Sequence, residues 1–129
     1  MKIMVVDDSQ TMVRILSTAA KKTIKDVEVF PCYNGKEALD CINENKDIKL
    51  VLLDVNMPVM SGKEFLTHLR ADSSFDNVKV IMQTTETGKA EIKSMMELGI
   101  SGYLMKPYQT AKVIELMTKL APIVGYELL

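Results

Sequence analysis

The chain has no excess of charge of either sign. Its 16 Lys and Arg against 17 Asp and Glu leave a formal net charge of −1 over 129 residues. A broad basic face of the kind that tracks nucleic-acid phosphates is therefore not expected. Long hydrophobic runs are missing too, and nothing approaches the ~20 residues needed to cross a bilayer. The first strand-like run begins at Ile3, which leaves no room for a signal peptide, so the expectation is a cytoplasmic protein with no membrane contact. Only two cysteines occur, Cys32 and Cys41, without CxxC spacing and with a single histidine in the chain. That is a poor set for a thiolate or imidazole metal site, and both are expected as small, reduced, partly buried side chains. His68, between Leu66 and Leu69, is expected on the solvent side of its helix. Neither GxxxxGK[ST] nor GxGxxG is present, so a nucleotide is not the obvious donor or cofactor. No linker or low-complexity stretch divides the chain, and 1–129 reads as one domain without an appended output domain.

What the sequence does contain is a steady alternation of short apolar runs and helical spacings. KIMVV at 2–6 is a strand. Ser9 caps a helix reaching about residue 22, with Met12, Val13, Leu16 and Ala20 at helical spacing. Strands follow at 27–30, 49–53, 78–83 and 102–105. Helices are predicted over 35–45, capped by Asn34, then 62–71, 89–98 and 109–120. Their inward residues are Ala38, Leu39 and Ile42; Phe65, Leu66 and Leu69; Ile92, Met95 and Met96; and Val113, Leu116, Met117 and Leu120. Gly99 stops the fourth helix and Pro122 the last. The ten methionines are expected mostly as core filler. In the loop at 71–77, Phe75 is the one candidate for packing. The apolar segment at 122–129 is expected to fold back on the last helix, with a dimer or partner contact as the alternative.

Strands apolar on successive positions are covered on both faces. Five strand–helix repeats imply a parallel, doubly wound α/β sheet with right-handed crossovers. All strand C-termini in such a sheet point one way, and ligands bind there. The polar residues collect at those ends: Asp7 and Asp8 after the first strand, Asp54 after the third, Thr84 and Thr85 after the fourth, and Lys106 after the fifth. Three crowded carboxylates repel unless a cation joins them, and a small set of hard oxygen ligands suits Mg²⁺, which keeps waters and shares its site with phosphate. Adding a lysine and a threonine hydroxyl makes a constellation suited to phosphoryl transfer, where the protein's task is to offset charge on the transferring oxygens.

The segments MKIMVVDDS, VLLDVNMPVMSG, IMQTTE and SGYLMKPY resemble, in order and spacing, the receiver domain of bacterial two-component response regulators, over essentially the whole chain. Within that family the sequence is most similar to stand-alone chemotaxis regulators. The resemblance implies a (βα)5 fold with strand order 2-1-3-4-5. It implies that Asp54 accepts a phosphoryl group from a partner histidine kinase. Asp8 would be a direct Mg²⁺ ligand, Asp7 would act mainly through a metal-bound water, and the Asn56 backbone carbonyl would complete the protein's metal ligands. Lys106 would bind phosphate, before a proline that is typically cis. Thr84 would be the switch hydroxyl and Tyr103 its aromatic partner, while Asn56 and Glu86 would tune phosphoryl lifetime. Pro58 and Gly62 would shape the loop and helix start after Asp54. The implied readout face is the helix after the fourth strand, the fifth strand and the last helix. The implied partners are a histidine kinase, a target such as a flagellar motor switch protein, and a possible phosphatase. A phosphorelay intermediate or phosphate sink is the alternative. Thr85 departs from the alanine of many relatives. A phosphohydrolase with an aspartyl nucleophile needs a second acid two residues on, where this chain has Asn56. An interaction module without phosphorylation fits poorly with the full set Asp7, Asp8, Asp54, Thr84 and Lys106. The expectation is a switch, not a turnover enzyme.

Overall fold

In a computed structural model of the chain, residues 1–85 and 90–129 are described, together with the backbone alone at position 89. Five strands, β1 (Lys2–Val6), β2 (Glu28–Cys32), β3 (Leu50–Asp54), β4 (Lys79–Thr84) and β5 (Gly102–Met105), form one sheet in the order β2-β1-β3-β4-β5. Every neighbouring pair is parallel. The helices are α1 (Gln10–Thr23), α2 (Gly35–Glu44), α3 (Gly62–Ala71), α4 (Lys89–Leu98) and α5 (Thr110–Leu120). Alternate strand residues feed two cores, because successive side chains point to opposite faces. Ile3, Val5, Leu50, Leu52, Ile81 and Leu104 pack against α1 and α5. Met4, Val6, Val51, Leu53, Val80 and Met82 pack against α2, α3 and α4.

The helix starts follow the capping chemistry. Ser9 Oγ accepts the Met12 N–H at 3.2 Å, and Asn34 Oδ1 accepts that of Glu37 at 2.9 Å. Ser61 and Glu64 close a reciprocal capping box at α3. Strand β2 runs to Cys32 instead of ending at residue 30, so it includes Pro31. It is an edge strand, where a missing N–H is tolerated. Met96 is 59% exposed, not inward, because α4 docks through Ile92, Met95 and Leu98, and the second of two consecutive methionines falls outside that stripe. Met105 is also exposed, on edge strand β5, and Leu116 is only half-buried. Phe75 is buried and His68 exposed.

Segment 122–129 folds back. Tyr126 is buried, its hydroxyl donates to the Lys2 carbonyl, and it accepts the Lys49 N–H at 3.0 Å. Leu128 bridges antiparallel to Ile24. Both cysteines are free, Cys32 buried and Cys41 half-buried. Burial pushes the Cys32 thiol well above its usual range. Among the described residues no helix is long and apolar enough to cross a membrane.

Candidate acidic site at the C-terminal edge of the sheet

Asp7 leaves the end of β1, Asp54 is the last residue of β3, and Lys106 follows β5. Carboxylate oxygens of Asp7, Asp8 and Asp54 lie within 4.8 Å of one another. Lys106 Nζ is 3.0 Å from Asp54 Oδ1 and 3.8 Å from Asp7 Oδ2. The sheet thus brings together four residues drawn from three strand ends. Asp7 and Asp54 are nearly fully buried, while Asp8 is exposed.

Burial pushes the Asp54 carboxyl above its ordinary range. Lys106 and a backbone hydrogen bond from Asn56 work against that shift, and the charge of Asp8 adds to it. Burial likewise raises Asp7, opposed by the Ser9 N–H on Oδ1 at 2.9 Å and reinforced by the Asp54 charge. Asp7 Oδ2 has no hydrogen-bond partner among the described residues. A buried, under-satisfied carboxylate oxygen among three acids fits a small hard cation such as Mg²⁺, whose preferred ligands are oxygens. Asp7, Asp8 and Asp54 would supply the carboxylates.

The loop after Asp54 is built for close approach. A Cβ on Gly62 would stand 1.9 Å from the Asp54 carbonyl oxygen, so only glycine lets α3 begin there, with its N–H on the Val55 carbonyl at 2.9 Å. Val59, in the same loop, is 81% exposed and sits at φ +69°, a left-handed conformation costly for a β-branched residue. Asn56 lies at the rim, its Nδ2 3.5 Å from Thr85 Oγ1. The Lys106–Pro107 bond is cis. Thr84 is buried at the end of β4, and its carbonyl accepts the Lys106 N–H at 2.8 Å. Tyr103 stands outside the site, 41% exposed on β5. Glu86 lies outside the described residues.

Two residues of this region escaped the sequence reading. Gln83 is fully buried and is the register partner of Asp54. The Tyr108 hydroxyl donates to Gln83 Oε1, and Gln83 Nε2 has no partner among the described residues. The available signal was a lone glutamine in KVIMQT, a strand otherwise apolar from Val80 to Met82.

Residues 3–118 match the response regulator receiver domain family. A chemotaxis protein CheY homolog of Campylobacter jejuni is 38% identical over 125 residues, covering 97% of this chain and 93% of that protein. Chemotaxis protein CheY1 of Helicobacter pylori is 38% identical over 108 residues, covering 84% and 86%. Among solved structures, Vibrio cholerae chemotaxis protein CheY4 superimposes with a TM-score of 0.81 at 29% identity, over 92% of this chain and 96% of that one.

Proposed function

Since the chain belongs to the response regulator receiver family, we propose that it is a phosphorylation switch of cytoplasmic chemotaxis signalling, with Asp54 as the phosphoacceptor. The observation that carries this reading is the Asp7–Asp8–Asp54 cluster closed on one side by Lys106, 3.0 Å from Asp54. An Asp54 carboxylate oxygen attacks phosphorus of a kinase phosphohistidine. The new O–P bond forms as the N–P bond to the imidazole breaks, and the histidine takes up a proton. Lys106 offsets negative charge on the transferring oxygens. A bound Mg²⁺ would supply further charge neutralisation and draw the three carboxylates together.

The new phosphoryl oxygens offer Thr84 an acceptor, and Tyr103 swings in from its exposed position behind it. Moving a two-state element from 1:99 to 99:1 takes about 5.5 kcal/mol of differential interaction. A doubly charged group beside buried acids and a lysine is of the right kind to supply it. The output passes to a protein bound on α4, β5 and α5. There Met96, Tyr103 and Met105 are exposed apolar side chains; the relatives are named as chemotaxis proteins, and in that setting the partner of this reading is a flagellar motor switch protein. Asn56 and Glu86 set the phosphoryl lifetime, in the faster range. A phosphorelay intermediate or phosphate sink uses the same chemistry without that output.

Acetyl phosphate with Mg²⁺ separates the classes. A switch takes up about one equivalent per chain and then releases phosphate slowly, and Asn56→Ala alters that release. Rapid multiple turnover would mean a hydrolase, and no uptake an inert module. Unchanged release in Asn56→Ala and Glu86→Ala would remove the lifetime assignment. Capture of a motor switch protein only in the presence of beryllofluoride would support the chemotaxis output.

A further inference from the structure

Lys106 is a long, flexible side chain that must hold its ammonium on one carboxylate oxygen. Its backbone is gripped in two places. Its own N–H donates to the Thr84 carbonyl at 2.8 Å. Two residues on, the Tyr108 hydroxyl reaches back to Gln83 Oε1. Gln83 and Thr84 are consecutive in β4, so neighbouring residues of that strand grip both ends of the Lys106–Pro107–Tyr108 segment.

The position of Gln83 makes the second grip specific. It pairs in register with Asp54, and alternation from Leu52 and Ile81 puts both side chains on the α1/α5 face of the sheet. The amide is fully buried, on the strand directly beside Asp54. An apolar residue would cost less there, because Nε2 remains without a partner among the described residues. Tyr108 is half-buried and walls two neighbouring grooves. One is lined with Met12, Thr85, Lys106 and Pro107, and the other with Leu104, Gln109 and Lys112. Burial and the nearby charges of Asp7 and Asp54 push its hydroxyl upward, which keeps it a donor to Gln83.

We propose that Gln83 and Tyr108 are a positioning pair that holds Lys106 on Asp54. The proposal deepens the phosphoacceptor reading and rests on it for its kinetic arm. Tyr108→Phe keeps the ring and removes only the hydroxyl, while Gln83→Leu removes the amide. Three quantities are measured: the rate of phosphorylation by acetyl phosphate, the Mg²⁺ affinity, and the ¹⁵Nζ NMR signal of Lys106. Each single variant is expected to lose about tenfold in rate, since small misplacement of a catalytic group is costly. Mg²⁺ affinity should stay within about twofold of wild type, and the Lys106 ammonium signal, sharp in wild type, should broaden by exchange with water. The double variant should be no slower than the slower single one, because both remove one interaction.

Rates within about twofold of wild type in both variants, or a Lys106 signal unchanged in them or absent in wild type, would overturn the proposal. So would Mg²⁺ affinity falling in step with the rate, since that places the damage in the acids. If wild type takes up no phosphoryl group, the phosphoacceptor reading fails by itself, and the Lys106 signal alone decides whether the pair positions the lysine.

Discussion

At the N-terminal end of the sheet, polar groups drawn inside find partners. Arg70, at the end of α3, donates to the carbonyls of Gly99, Phe75 and Val78 at 2.7–3.0 Å. The Tyr126 hydroxyl joins Lys2 to Lys49 across the starts of β1 and β3. At the C-terminal end the opposite holds. Among the described residues, the two buried side-chain polar atoms without a hydrogen-bond partner, Asp7 Oδ2 and Gln83 Nε2, both lie there. So do the crowded carboxylates and the left-handed Val59. One end is arranged to hold the fold together. The other keeps unfavourable charge and strain in place, where a ligand can relieve them, as functional sites commonly do.

Substitutions at the two ends should therefore differ in sign as well as size. The largest effect is expected from Arg70→Ala, which strips charge-assisted hydrogen bonds from three carbonyls. A loss of about 3 kcal/mol in urea unfolding is expected, and a loss under about 1 kcal/mol would show that water replaces the guanidinium at little cost. Tyr126→Phe keeps the ring but leaves the Lys2 carbonyl and the Lys49 N–H short of a partner. It should cost about 1–2 kcal/mol and leave the rate of acetyl phosphate uptake unchanged; a slowed rate would mean that the two ends are not independent. Asp7→Asn should go the other way. It removes a buried charge whose carboxyl is already raised by burial and by Asp54, while the new amide oxygen can still accept the Ser9 N–H. The metal-free protein should gain about 1 kcal/mol while Mg²⁺ affinity drops. Destabilisation without Mg²⁺ would contradict the view that this end is kept at a cost.

Much of this division could be read along the chain, because it follows from local pattern. Strands apolar on successive positions and ending in Asp7, Asp54, Thr84 and Lys106 fixed the parallel sheet and put those residues on one rim. Ser9 and Asn34 signalled two of the helix starts through short-range capping chemistry. What could not be read was pairing between distant residues. Nothing near Tyr126 shows that its hydroxyl meets Lys2 and Lys49, and nothing near Tyr108 points to Gln83. The exposure of Met96 was hidden for a related reason: helical spacing marks a face but not how wide a stripe the neighbouring elements cover. The extension of β2 through Pro31 depended on its being an edge strand, which is a property of the assembled sheet.

The most direct test is peptide mapping by mass spectrometry after brief exposure to acetyl phosphate and Mg²⁺, on wild type and Asp54→Asn. A gain of about 80 Da on the peptide carrying Asp54, absent in the variant and in wild type treated with a metal chelator, is the expected result. A wild-type chain that stays unmodified, or one modified equally well when residue 54 is asparagine, would contradict it.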